Sequence, residues 1–202
     1  MDGQIKAVID ADFFLKVTMY EKGTALFIRM MEELNLRPVM HEFVANVELK
    51  NNEYLQQLLN KNQISVIYYE DYLEKDDRAE YEKYFLEAYE RINLFEFPAG
   101  EDIYQYKAKE ESLGEIRSFY MARKKGYIYF MSDDADAKFL ARNFCSSKKK
   151  VEVKSLFDAF VMCKEKETQL CWRDINPTVK NAMQKRQDKI EYLKKLYSQD
   201  CK

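Results

Sequence analysis

Three closely spaced aspartates follow an apolar run in the second half of the sequence. The run 127–131 is rich in aromatic residues, as in a buried strand, and Asp133, Asp134 and Asp136 come directly after it. Carboxylates this close repel one another unless a cation, a proton or solvent compensates their charge. Ligands of open α/β sheets bind beyond the carboxyl ends of the strands. The spacing therefore indicates either a cation site or a solvated turn that caps the next helix.

The first apolar run of the chain shows the same arrangement. Residues 5–9 read IKAVI, and Asp10 and Asp12 follow this run as acids at the exit of a predicted first strand. The aspartates of both runs are therefore candidates for one edge of a sheet.

Glutamates in predicted helices complete the acidic set. Glu42 and Glu48 lie in a helical pattern, and Glu115 lies in the first turn of the helix before the aspartate-rich segment. Each has an ordinary explanation, as a solvated helix residue or as an acid favoured by the helix dipole. A βαβ connection would nonetheless bring Glu115 near Asp10 and Asp134.

The composition argues against several other chemistries. His41 is the only histidine in 202 residues, so a catalytic triad or a multi-histidine zinc site would have to be built around it. The sequence contains neither the GxxxxGK[ST] nor the GxGxxG phosphate-binding motif. Oxygen ligands, which are abundant, suit Mg²⁺ or Mn²⁺. A formal net charge of -2 gives no general attraction to nucleic acid or anionic lipid.

Other features of the sequence are typical of a cytoplasmic protein. The 4 cysteines form no CxxC pair and no regular disulfide framework. The sequence shows no basic segment followed by an apolar leader, and no apolar run of membrane-spanning length. We therefore expect one cytoplasmic domain with a helical appendage and no membrane partner.

Strands alternate with helices along the chain, which predicts a three-layer α/β/α fold with a mainly parallel central sheet. The predicted strands are 5–9, 36–40, 64–69, 127–131 and 148–153. Pro38 predicts a weak or edge position for the second strand. The run ISVIYY predicts a central position for the third. A short helix is expected over 102–108.

Residues 154–202 are predicted to form a helical extension packed on a first domain of residues 1–153. Ser155 begins a capping-box pattern for the first helix of this extension. Pro177 is placed in a connector, and a basic helix is predicted over about Thr178 to Tyr197. The basic face is either solvated or a contact surface for RNA or a partner protein.

In four places the chain resembles the PIN-domain family: VIDAD, VANVEL, LGEIRSFYMA and FMSDDADAKFLA. The resemblance covers about residues 5–153. It implies a compact α/β sheet whose clustered acids bind Mg²⁺ or Mn²⁺ and hydrolyse RNA. The chain is similar in style to stand-alone prokaryotic PIN proteins, some of which are toxins paired with an antitoxin protein.

The resemblance implies four catalytic residues, which are Asp10, Glu48, Glu115 and Asp134. Asp10, Glu115 and Asp134 would be direct or water-mediated metal ligands. Asp136 is a further candidate ligand. Glu48 would position a water or a second ion. An RNA substrate follows from this assignment, and an antitoxin partner and a homodimer are left open.

Four residues are secondary candidates. Glu42 competes with Glu48 for the role of the helical acid. The segment Ser132-Asp133-Asp134 overlays the Thr-Asn-Asp of the family, so Asp133 stands where an amide is usual. Ser132 is expected to hydrogen-bond a ligand carboxylate or a phosphate. Asp12 is the fourth candidate.

Two alternatives to a nuclease remain at this point. Asp10 and Asp12 after one strand, with Asp133 and Asp136 after a later one, are also similar to the pattern of haloacid-dehalogenase-type phosphatases. The first aspartate of that pattern is the nucleophile. Phe14 does not fit that pattern, which has a small hydroxylated or β-branched residue there, and the glutamates would have no role. The other alternative is a PIN-like fold that binds RNA or protein without cutting.

Overall fold

A five-stranded, all-parallel sheet forms the centre of the molecule. The computed structural model describes residues 3–20, 22–108, 112–145 and 150–198. The strands are β1 Ile5–Ile9, β2 Leu36–His41, β3 Ser65–Ile67, β4 Tyr129–Met131 and β5 Glu152–Lys154. Their order in the sheet is β3-β2-β1-β4-β5. The predicted α/β class with a parallel sheet between helical layers is confirmed.

Helices cover both faces of this sheet. They are α1 Ala11–Thr18, α2 Gly23–Glu33, α3 Glu53–Asn60, α4 Arg78–Asn93, α5 Leu113–Lys125, α6 Ala135–Phe144, α7 Leu156–Glu165, α8 Trp172–Ala182 and α9 Gln187–Tyr197. A π-helical turn, Val44–Glu48, follows β2, and 3-10 turns span Tyr69–Asp71 and Lys75–Asp77. No helix in the described ranges has the length and apolar character needed to cross a membrane.

The two faces of the sheet bury two separate apolar clusters. Ala7 and Ile9 belong to the cluster under α1, α2, α3, α7, α8 and α9, whereas Val8 belongs to the cluster under α4, α5 and α6. This division follows from the strand geometry, because successive side chains point to opposite faces. The helices after β5 thus share a core with the first helices of the chain.

The positions of two strands in the sheet differ from the prediction. β2, which contains Pro38, is internal, since it pairs with β1 on one side and β3 on the other. The ladder with β3 begins at Val39, so the missing amide of Pro38 lies just before it. β3 is at the edge and its side chains are only partly buried. Apolar content therefore predicted that a strand forms, but not which strands lie beside it in the sheet.

Some helix boundaries also differ. Residues 102–108 contain a turn at 103–105 and no helix. Pro177 lies inside α8, which starts earlier because the Asp174 carboxylate caps the Cys171 amide (3.0 Å). The predicted helix to Tyr197 is in fact two helices, α8 and α9. The predicted capping box at Ser155 is confirmed. Residues 148 and 149 of the predicted last strand lie outside the described ranges.

Candidate functional site

Asp10 lies at the carboxyl end of β1 and is completely buried, with 0% exposure. Its backbone amide donates to the carbonyl of Met131 (3.1 Å), which joins the ends of β1 and β4. Its Oδ2 accepts a hydrogen bond from Ser132 Oγ (2.9 Å). Its Oδ1 is buried and has no hydrogen-bond partner among the described residues. An unpartnered buried oxygen is costly, so this atom marks the place where a proton or a cation would be stabilising.

A chain of hydrogen bonds connects Asp10 to the acids that follow β4. Ser132 Oγ accepts from the amide of Asp134 (3.1 Å), and Asp134 Oδ1 caps α6 by accepting from the amide of Asp136 (2.8 Å). Asp136 Oδ2 accepts from Ser112 Oγ (2.6 Å) at the start of α5. Ser132 thus holds Asp10 and Asp134 in fixed positions relative to each other.

Glu48 and Glu115 complete an acidic cluster with Asp10, as their mutual electrostatics indicate. Burial, followed by the charge of Glu48, raises the pKa of Asp10 to about 7. Burial and the charge of Glu115 raise the pKa of Glu48 to about 7. Burial and the charge of Asp10, with a smaller contribution from Asp134, raise the pKa of Glu115 to about 8. The cluster therefore holds protons near neutral pH, when no cation compensates its charge.

The Glu48 carboxylate is held over the first turn of α5. Glu48 is exposed as a whole residue, so water screens part of the repulsion between its carboxylate and that of Glu115. The nearby Gly114 backbone amide lowers the pKa of the Glu48 carboxylate and opposes the effect of burial. A Cβ atom on Gly114 would lie 2.3 Å from Glu48 Oε1. Glycine at this position is therefore what allows Glu48 to approach Glu115 and Asp10.

We predict that Gly114→Ala expels the Glu48 carboxylate from the cluster with little loss of stability. The added methyl group clashes only with the end of a flexible side chain, and alanine favours a helix over glycine by about 1 kcal/mol. Once in solvent, Glu48 should titrate nearer its ordinary value of 4.5 than about 7. NMR titration of the glutamate carboxyls checks this result. In a Glu48→Ala background the same substitution should stabilise, and a loss of stability there would contradict the explanation.

Glu42 lies apart from this cluster. Its Oε1 accepts a hydrogen bond from the Tyr69 amide (2.7 Å) at the end of β3. Glu42 directly follows β2, whereas Glu48 ends the π-helical turn and lies beside Gly114. Of the two competing glutamates, the structure brings only Glu48 to Asp10 and Glu115.

Asp12 and Asp133 form a separate group around Lys16. The Lys16 ammonium lies 2.6 Å from Asp12 Oδ2 and 3.6 Å from Asp133 Oδ2. Asp133 Oδ1 also accepts from the Leu156 amide (3.3 Å), which connects the end of β4 to the start of α7. Both carboxylates thus have Lys16, on α1, as a cation partner.

His41 is a neutral structural residue at the end of β2. The Phe43 amide donates to Nδ1 (3.0 Å), which therefore carries no proton, and Nε2 donates to Tyr72 Oη (2.8 Å). Burial, with a smaller effect of Arg117, lowers the pKa of His41 to about 3. The only histidine of the chain therefore does not serve this cluster as a base.

Arg117 is a residue of the site that sequence reasoning missed. It is fully buried on α5, two residues after Glu115, and its guanidinium lies 4.0 Å from the centroid of the Phe43 ring. Its Nη2 donates to the carbonyls of Ile103 (2.7 Å) and Tyr106 (2.9 Å). The only signal in the sequence is one charged residue within the otherwise uncharged stretch 116–122.

The donor set fits a hard divalent cation in type, but the side chains do not enclose one. Within residues 3–20, 22–108, 112–145 and 150–198, no three His, Cys, Asp or Glu side chains converge so that they could hold a metal ion. The cluster nevertheless offers only oxygen donors, one of them the unpartnered Oδ1 of Asp10. Binding would therefore require a change of rotamer at one or more carboxylates.

The fold and the site define an α/β protein with an acidic cluster at the carboxyl edge of a parallel sheet. In comparisons of the whole chain, no family model, no curated protein and no solved structure gave a match.

Proposed function

We propose that the protein is a PIN-type endoribonuclease that uses Mg²⁺ or Mn²⁺. The observation that carries this proposal is the buried, unpartnered Oδ1 of Asp10, which faces a cluster of carboxylates with raised pKa values. Buried carboxylates with raised pKa values are typical of functional sites. Cation binding is the function that a cluster with only oxygen donors suits best. The resemblance to the PIN family is consistent with this choice.

Each residue of the cluster has a distinct role in the proposed reaction. Asp10, Glu115 and Asp134 would hold the cation, with Asp136 close behind Asp134. A bound divalent ion supplies a water of lowered pKa and neutralises charge that develops on the phosphate. Glu48 would orient the attacking water, and Ser132 keeps the Asp10 carboxylate in place through its hydrogen bond.

Cleavage of single-stranded RNA in Mg²⁺ tests this function. We expect Asp10→Asn and Asp134→Asn each to lower the cleavage rate by about 100-fold or more, since each removes a ligand charge. Asp188→Asn is the matched control, because Asp188 is an exposed residue in the first turn of α9 with Arg186 as its partner. Activity that persists in both cluster variants would contradict the proposal.

Two outcomes of the same assays would favour the alternatives. Phosphate release from an aryl phosphate would support a phosphatase with Asp10 as nucleophile, although Asp12 is engaged by Lys16. RNA binding without cleavage in either metal would support a non-cutting module. The toxin role, the antitoxin partner and the homodimer remain predictions of the resemblance.

A further inference from the structure

A groove of about 440 Å³ lies beside the π-helical turn that carries Glu48. Its lining includes Glu42, Phe43, Asn46, Tyr69, Tyr104 and Gln105. We propose that this groove, here called the base groove, binds one unpaired nucleobase that carries an exocyclic amino group. The inference rests on the proposed function and names a feature of its substrate. The volume lies within the range of about 300–1,000 Å³ that is usual for small-ligand sites.

The position of the base groove relates it to the acidic cluster. Asn46 and Glu48 belong to the same π-helical turn and are two residues apart. Residues so spaced point to roughly opposite sides of a helical turn, so the groove lies across this turn from the Glu48 carboxylate. A base in the groove would thus belong to a strand that passes from the cluster around this turn. Lys107, also at the groove, supplies a cation for the RNA backbone.

Aromatic side chains form the walls of the base groove. The Tyr69 and Tyr104 ring centroids are 5.4 Å apart with an interplanar angle of 80°, so the two rings meet edge to face. The hydroxyl of Tyr69 lies 3.0 Å from that of Tyr81, which fixes the Tyr69 ring. The Arg78 guanidinium lies over the Tyr104 ring (5.8 Å to the centroid), and aromatic rings held in place in this way stack unpaired bases in many single-strand RNA sites.

Polar groups in the base groove suit the edge of a base. One oxygen of Glu42 is used by the Tyr69 amide, and the carboxylate has a second oxygen that can accept. Asn46 and Gln105 are exposed, and neither side-chain amide has a hydrogen-bond partner in the part of the chain that is described. A carboxylate acceptor favours the amino groups of adenine, cytosine or guanine over uracil, which has none.

The base groove is preorganised by Arg117. The carbonyls that its Nη2 binds, those of Ile103 and Tyr106, stand on either side of Tyr104 and Gln105 in the chain. A fully buried cation therefore holds in place the turn that carries these two groove residues. Preorganisation lowers the entropic cost of binding, which matters for a ligand as small as a single base.

Neutral nucleosides test the inference without RNA cleavage. We would titrate adenosine, cytidine and uridine into ¹⁵N-labelled protein in EDTA and follow the side-chain amide signals of Asn46 and Gln105. We expect these signals to shift, with adenosine and cytidine binding about fivefold more tightly than uridine. Ribose 5-phosphate, which has no base, should leave them unchanged. Unshifted amides, or equal binding of uridine, would overturn the inference.

Variants then assign the contacts. Tyr104→Leu should weaken adenosine binding about tenfold through lost stacking, and Glu42→Gln should remove the preference over uridine. Gln105→Ala should also weaken binding. Because Gln105 is exposed to solvent, this variant is the one of the three that is expected to disturb folding least. Arg173→Ala, at a separate cavity between α2 and α8, is the control. Wild-type binding in all three groove variants would overturn the assignment.

These experiments distinguish a failure of the base-groove proposal from a failure of the nuclease proposal. Asp10→Asn should leave nucleoside binding intact while it abolishes cleavage, because Asp10 is not part of the base groove. Loss of both by this variant would disprove the groove as a distinct subsite. Nucleoside binding with no RNA cleavage by the wild type would instead reject the nuclease.

Discussion

Asp10→Asn should increase the free energy of unfolding by on the order of 3 kcal/mol at about pH 8 and change it little at about pH 4. Burial and the charge of Glu48 raise the pKa of Asp10 from 3.8 to about 7 in the folded protein. Unfolded Asp10 loses its proton near pH 3.8, whereas folded Asp10 keeps it until about pH 7. The wild type therefore loses stability as the pH rises between these values, and asparagine avoids this loss.

Urea unfolding of both proteins in EDTA at the two pH values measures this effect. Asparagine keeps an oxygen that can accept from Ser132 Oγ, so the hydrogen bond of Asp10 Oδ2 (2.9 Å) should survive. Asp188→Asn serves again as the control, at an exposed carboxylate. Saturating Mg²⁺ should stabilise the wild type more than the variant, because only the native state of the wild type offers the full ligand charge. A variant that is less stable than the wild type at pH 8 would refute this account.

The class of fold could be predicted from the sequence, but the order of the strands could not. The apolar runs that became β1 and β4 indicated strands correctly, because local composition reports burial. The order depends on pairing between distant segments. Pro38 predicted an edge for β2, yet β3 is so short that β2 can be internal without a ladder bond at that residue.

The candidate site, like the fold, could be predicted from the sequence only in part. Acids at strand ends could be predicted to meet, since parallel strands place their carboxyl ends at one edge, and Asp10 and Asp134 are indeed joined through Ser132. The choice between Glu42 and Glu48 could not, because it depends on the contact with Gly114 on a helix far along the chain. Contacts of this kind leave no periodic signal in a single sequence.

Arg117→Met should lower the free energy of unfolding by about 3 kcal/mol. Methionine preserves the apolar packing against Phe43 but leaves the carbonyls of Ile103 and Tyr106 without their donor. Each partly buried carbonyl that loses its donor costs about 1–3 kcal/mol, and removal of a buried cation returns part of this sum. The loss should therefore dominate. Urea unfolding at one pH measures it.

Arg123→Met is the matched control for this prediction, because Arg123 lies on the same helix. It pairs with the exposed Glu80 (3.1 Å) and donates to the Phe144 carbonyl (3.2 Å), so its loss should cost about 0–1 kcal/mol for the pair and about 1 kcal/mol for the hydrogen bond. Only the Arg117 variant should increase amide hydrogen exchange in residues 101–108, since of the two arginines only Arg117 donates to carbonyls of that segment. It should also raise the pKa of Glu48, which the Arg117 charge now lowers. A loss below about 1 kcal/mol, or unchanged exchange in the turn, would show that Arg117 does not hold the base groove together.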